Sequence, residues 1–129
     1  MPRDLGRISE HQLAILDVLW TYGEATAREV HETLEPATGH ARKTTGTLLH
    51  RLEKQGLITH REEGREFLYR ARVTREEVQR ATVRGVLGPL FHGEVPALVS
   101  HALSAGEVEP ADLARIRALI DDHQRRNGG

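Results

Sequence analysis

The stretch Ala41-Arg42-Lys43-Thr44-Thr45-Gly46-Thr47-Leu48-Leu49-His50-Arg51-Leu52-Glu53-Lys54-Gln55-Gly56, running on into Leu57-Ile58-Thr59-His60, decides the fold. Thr45, Leu49 and Leu52 recur at the three- and four-residue spacing of one helix face. Lys43, Thr44, Thr47, His50, Arg51 and Lys54 share the other face, and Gly56 predicts a left-handed stop. From Ala41 to Leu52 there are three basic residues and no acid. The pattern then changes. Leu57 to His60, turn chemistry at Glu63-Gly64, and Phe67-Leu68-Tyr69 predict a two-stranded hairpin with Arg61 and Arg65 flanking its tip.

Working outward, Ser9-Glu10-His11-Gln12 has the form of a capping box that opens a helix presenting Leu13, Leu16, Leu19 and Trp20. Ile8 and Leu13 form its staple, and the helix should stop near Gly23. A second box, Thr26-Ala27-Arg28-Glu29, opens a short helix through Val30 and Leu34, expected to end at Pro36. Helix, helix, helix, hairpin is the order of a winged helix-turn-helix. A third box, Thr74-Arg75-Glu76-Glu77, starts a helix carrying Val78, Ala81, Val86 and Leu90 that breaks around Gly88-Pro89. An apolar segment from Val95 to Leu103 follows. A final helix from Pro110 to about Arg126 has Leu113, Ile116, Leu119 and Ile120 on its inner face. The expected fold is mainly α: a winged helix-turn-helix over residues 1–72, then a C-terminal helical dimerisation lobe over 73–129.

Composition narrows the function classes. Of 129 residues only 4% are aromatic, so the core must be aliphatic, which suits packed helices. Cysteine is absent, which excludes disulfides, thiolate metal sites and cysteine nucleophiles. No apolar run is long enough to span a bilayer and the N-terminus has no apolar core of a signal peptide, so a cytoplasmic protein without membrane insertion is expected. The net charge of −1 conceals a local imbalance. Residues 1–39 carry three arginines against seven acids, residues 40–72 eight basic residues against four acids, and residues 73–129 seven arginines against eight acids. The basic segment coincides with the third helix and the hairpin, which is the electrostatic footprint of a polyanion partner.

A helix of this kind fits the major groove of double-stranded DNA, where short polar and basic side chains reach base edges. Arg42, Lys43, Thr44, Thr47 and His50 are the candidate base readers. Arg51, Lys54, Arg61 and Arg65 are the candidate phosphate contacts, with Arg28 at the start of the second helix. The plainer alternative is a solvated helix face.

The pattern Lys43-Thr44-x-x-Thr47-Leu48-x-x-Arg51-Leu52-x-Lys54-x-Gly56 resembles the recognition helix of the penicillinase-repressor family (BlaI/MecI/CopY). The resemblance continues through Leu13-Ala14-Ile15-Leu16-Asp17-Val18-Leu19-Trp20, Ala27-Arg28-Glu29-Val30, the wing Glu63-Gly64-Arg65-Glu66-Phe67-Leu68-Tyr69, and Leu98-Val99. It implies a homodimeric transcriptional repressor that reads an inverted-repeat operator and dimerises through its C-terminal helices. Two departures stand out. Gly46 lies mid-helix where family members often carry a longer side chain, and glycine there costs about 1 kcal/mol against alanine. Either the DNA backbone approaches closely or base readout differs. In antibiotic-responsive members a membrane sensor protease cuts the dimerisation lobe between Asn and Phe. The aligned bond is His101-Ala102, and neither residue type is kept. The cysteine-rich tail of the copper-responsive branch is also missing.

Dimerisation is expected on physical grounds as well. The short helices after Val73 cannot bury Val78, Leu87, Leu90, Phe91, Val95, Leu98, Val99, Leu103, Ile116 and Ile120 within one chain, whereas a two-fold dimer can. The alternative packs them back onto the winged helix. The eight histidines (His11, His31, His40, His50, His60, His92, His101, His123) raise metal or haem sensing as another reading. No two are three or four apart, so no helix offers a two-histidine pincer, and no metal or other cofactor is expected. His92, His101 and His123 could converge across a dimer. A winged-helix module that binds proteins rather than DNA is the remaining alternative. Ser100, His101 and Ser104 have no third partner or oxyanion loop, so no enzyme is expected.

Overall fold

The computed structural model describes residue 5 and residues 8–128. The elements in chain order are α1 (Glu10–Tyr22), β1 (Ala25–Thr26), α2 (Ala27–Thr38), α3 (Arg42–Lys54), β2 (Ile58–Glu63), β3 (Glu66–Ala71), α4 (Arg75–Leu87), α5 (Val95–Ala105) and α6 (Pro110–Asn127). The described residues form two compact units that divide between Gly85 and Val86.

Side-chain caps fix where the helices of the first unit begin. The Ser9 hydroxyl accepts from the Gln12 amide while the Gln12 side chain accepts from the Ser9 amide. Thr26 with Glu29, and Thr74 with Glu77, repeat this reciprocal pair. Each pair satisfies two amides that a helix start otherwise leaves open. α1 ends at Gly23, as its glycine predicts. α2 does not stop at Pro36. It runs through the proline to Thr38, because the closing bonds come from elsewhere. The Gly39 amide, in a left-handed conformation, donates to Glu35 at 2.8 Å, and the Thr38 hydroxyl donates to the Leu34 carbonyl at 2.9 Å. Pro36 removes only one amide donor from the last turn.

The hairpin is joined by a third strand. β1 pairs antiparallel with β3 through Ala25–Tyr69 and Thr26–Leu68, giving the order β1-β3-β2. Glu63 faces Glu66 across a two-residue turn, Gly64-Arg65, in which Gly64 takes φ 65°. A side chain at that φ would be strained, so the glycine sets the wing tip.

The core of this unit is aliphatic, as the low aromatic content requires. Ile15, Leu16, Val18 and Leu19 of α1 meet Val30, Leu49, Leu52, Leu57 and Ile58. Leu13, expected on the packed face of α1, is exposed, and Ile15 and Val18 are buried instead. The buried Gln12 amide is satisfied by donation to Gln55 Oε1 at 2.8 Å, which ties the start of α1 to the end of α3. Trp20 Nε1 donates to the Val73 carbonyl at 2.8 Å and fixes the chain leaving the wing. Val73 and Val78 complete the same core. Val78 is only 5% exposed, so it is not available as a dimer contact; burial by its own chain has already claimed it.

In the second unit the sequence forms the two expected helices after the break at Gly88-Pro89, and neither α5 nor α6 buries a residue. Leu90, Val95, Val99, Leu103, Leu113, Leu119 and Ile120 are all exposed. Leu87, Phe91, Leu98 and Ile116 are half-buried. The apolar face of α6 is therefore open in a single chain, with Leu119 67% and Ile120 53% exposed.

Candidate nucleic-acid interface

α3 differs from its neighbours in how it begins. Its N-cap is Ala41, which makes no side-chain cap, and its first turn holds no acid. The positive end of the helix dipole there faces Arg42 and Lys43 instead of a carboxylate. Both features oppose helix formation, and both favour an incoming anion. At the other end Arg51 and Lys54 sit in the last turn, where the dipole welcomes cations. Those two have a structural role without any partner; Arg42 and Lys43 do not.

The inner face of α3 is held by burial of Thr45, Leu49 and Leu52, and the Thr45 hydroxyl meets His31 Nδ1 at 3.4 Å. That anchoring leaves Arg42, Lys43, Thr44, Thr47, His50, Arg51 and Lys54 all exposed. The Thr47 hydroxyl donates to the Lys43 carbonyl at 3.0 Å. Its proton is thus engaged within the helix, leaving lone pairs and a methyl group for a partner.

Arg28, Arg42 and Arg65 come from three separate elements and line one concavity of about 370 Å³, together with Thr26, Ala27, Glu66, Phe67 and Tyr69. Arg28 Nη2 lies 3.4 Å from Glu66 Oε1. Among the described residues no ion pair is made by Arg42, Lys43, Arg51, Lys54 or Arg65. Arg61 is placed differently. Its Nε and Nη2 donate to Glu24 at 2.9 and 3.1 Å, and its Nη1 lies 3.0 Å from Glu63. The Arg61 hydrogen bond holds the Glu24 carboxyl below its ordinary value, and the same bond raises the guanidinium. The structure therefore gathers Arg28, Arg42 and Arg65 with the α3 face and ties Arg61 to carboxylates.

Two residues outside the sequence expectation shape this face. Phe67 is exposed and stacks on His60 at 4.0 Å between centroids, and His60 Nδ1 contacts both Glu53 carboxylate oxygens at 2.8 Å. This chain of contacts links α3 to the wing. The alternation of Phe67 and Tyr69 on one strand face was the available signal for it. Burial, with the Glu53 charge, raises the Tyr69 hydroxyl pKa. Among the described residues no group of three or more metal-ligating side chains assembles.

Residues 8–122, from the residue before the first cap through most of α6, match the profile of the Penicillinase repressor family. The chain belongs to that family. It is similar to the penicillinase repressor of Bacillus licheniformis, at 23% identity over 124 residues, covering 96% of this chain and 97% of that protein. It is also similar to the methicillin resistance regulatory protein MecI of Staphylococcus aureus (strain N315), 20% identical over 114 residues, or 88% of this chain and 93% of that one. A solved structure, the Bacillus licheniformis BlaI monomeric form in complex with the blaP half-operator, superposes with a TM-score of 0.51 and 29% identity. The match covers 59% of this chain and 93% of that chain. Penicillinase-repressor family membership accords with the winged helix-turn-helix described above, followed by a helical C-terminal lobe. No helix among the described residues is long and apolar enough to cross a membrane.

Proposed function

We propose that this chain is a homodimeric transcriptional repressor whose α3 enters the major groove of each half of an inverted-repeat operator. One observation carries the reading. Arg42 and Lys43 stand at the positive end of an uncapped helix, exposed and without a carboxylate partner among the described residues. A polyanion is the partner that turns this unfavourable placement into a favourable one. Lys43, Thr44, Thr47 and His50 face base edges. Arg42, expected among the base readers, shares instead with Arg28 and Arg65 a concavity suited to a phosphate, and Arg51 and Lys54 reach the backbone farther along. Arg61 contributes less, because Glu24 and Glu63 hold it. Relatives support the reading: a BlaI protein is described bound to a half-operator, as expected for one winged helix of a pair.

The dimer follows from the second unit. Helices α5 and α6 bury no residue within the chain, and a unit of this size with an open aliphatic face gains its core from a second copy. Leu87, Leu90, Phe91, Val95, Leu98, Val99, Leu103, Ile116 and Ile120 supply that face, with residues 1–72 carrying DNA recognition and the second unit, from Val86 onward, self-association. Release by a membrane sensor protease at His101-Ala102 meets a physical obstacle. That bond lies within α5, so the helix must unwind before a protease cleft can take it.

The test is selection of bound duplexes from fragmented genomic DNA. An inverted repeat recovered with two chains per duplex is the expected result. Recovery of no sequence over background would remove the repressor reading.

A further inference from the structure

Gly46 is the one residue on the exposed face of α3 that the functional reading leaves unexplained. Glycine inside a helix is destabilising relative to alanine, so a reason for it should be found. Three ordinary reasons fail. Gly46 is not among the residues with positive φ. It lies inside α3, which runs from Arg42 to Lys54, and is not at either end. A β-carbon there has no atom within 4 Å to meet. Nothing within the described residues accounts for the missing side chain; close approach of a partner would.

The surroundings identify that partner. Arg42 and His50 lie one turn to either side of Gly46 on the same strip of helix. Along that edge Arg42 shares the concavity with Arg65 and Phe67 of the wing, and Glu53 holds His60 of the wing. The bare spot thus lies on the strip of α3 that also carries Arg42 and Glu53, the residues through which α3 meets the wing. The spot itself offers no donor, acceptor or charge. Next to it Thr47 has its hydroxyl proton engaged by the Lys43 carbonyl, so it adds no donor, only its methyl and the oxygen lone pairs. In the major groove one base substituent is apolar: the C5-methyl of thymine.

We infer that Gly46 is a specificity-determining position, a notch in which α3 receives a thymine methyl at main-chain distance beside the Thr47 methyl. This rests on the repressor reading above and adds to it what one base pair of each half-site must be. A side chain at position 46 would fill the notch and hold the base edge away from the helix.

The experiment combines Gly46→Ala with deoxyuridine substituted for each half-site thymine in turn, using full-length protein and the operator that the wild type selects. Wild type should lose about three- to fivefold in affinity at one thymine position, the worth of one buried methyl. Gly46→Ala should melt a few degrees above wild type, bind the thymine operator more weakly, and be indifferent to uracil at that position. Non-specific DNA should bind both proteins within about twofold, since phosphate contacts are untouched. The inference is overturned if wild type ignores every uracil replacement, or if Gly46→Ala binds the thymine operator as wild type does. It is equally overturned if Gly46→Ala keeps the uracil sensitivity, weakens non-specific binding as much as operator binding, or melts below wild type. A wild-type protein that selects no operator removes the repressor reading instead, which separates the two failures.

Discussion

Arg61 donates through Nε and Nη2 to the two carboxylate oxygens of Glu24, at 2.9 and 3.1 Å. The pair is exposed and adds little to stability. Its effect is to occupy a wing cation that would otherwise face the duplex. Glu24→Gln should therefore tighten binding to every duplex at low salt, by about threefold, and steepen the salt dependence as Arg61 joins the phosphate contacts. Fluorescence anisotropy across a salt series measures both. Unchanged affinity and slope would show that Arg61 is not restrained from DNA by Glu24.

The two wing arginines should behave unequally. Arg65→Ala removes a cation that makes no ion pair among the described residues from the concavity shared with Arg28 and Arg42. It should weaken specific and non-specific duplexes alike by about tenfold, and flatten the dimer's salt slope by nearly two, one phosphate per wing. Arg61→Ala should cost less than about threefold in the same titration. Equal losses would contradict the geometry.

Thr47 provides a cleaner test of base contact. With its proton bound to the Lys43 carbonyl, it offers a partner its methyl group and the hydroxyl lone pairs but no donor. Thr47→Val keeps a methyl at that place and should bind the selected operator within about threefold of wild type. Thr47→Ser keeps the hydroxyl and loses the methyl, and should cost about fourfold. The reverse ranking would assign the contact to the hydroxyl.

Acid should destabilise the first unit chiefly through Glu29, with a small share from Glu24. The Thr26 amide and hydroxyl hold Glu29 below the ordinary carboxylate value of 4.5, and Arg61 does the same for Glu24. A lowered folded-state pKa means that this stabilisation is complete above the unfolded value and is lost as pH falls through the folded one. Melting temperature should thus fall as pH drops below the ordinary carboxylate value of 4.5, and Glu29→Gln should flatten part of that fall. Scanning calorimetry of the two proteins across this range is the check. A Glu29→Gln profile parallel to wild type would contradict the capping role.

Ile120 tests self-association. It is 53% exposed in a single chain, so Ile120→Asp should leave the winged helix folded. Placed at a two-fold seam it would bury charge against charge, and the protein should sediment as a monomer. Operator affinity should then fall by about a hundredfold or more, because the two winged helices are no longer linked. A variant that still sediments as a dimer would move the seam away from α6.

The parts of the fold that local chemistry decides were readable from residues alone. The boxes at Ser9, Thr26 and Thr74, the stop at Gly23 and the turn at Gly64 each rest on a few neighbouring side chains. Misplaced features depended on distant groups. Pro36 was tolerated because Thr38 and Gly39 closed the turn beyond it, and β1 has two residues that become a strand only when β3 lies beside them. Val78 fits a dimer seam by periodicity, and only tertiary packing shows that its own chain buries it. At the site, the exposed face of α3 was legible from spacing and charge. The restraint on Arg61 was not, since Glu24 lies 37 residues away in sequence.

The most direct measurement is a salt titration of binding to the selected duplex, with stoichiometry fixed by sedimentation. If two copies of α3 and its wing neutralise about eight phosphates, two chains should bind each duplex. The logarithm of the association constant should then fall with that of salt at a slope near −7. A single chain in solution whose binding to every duplex is absent, or unaffected by salt, would contradict the repressor reading outright.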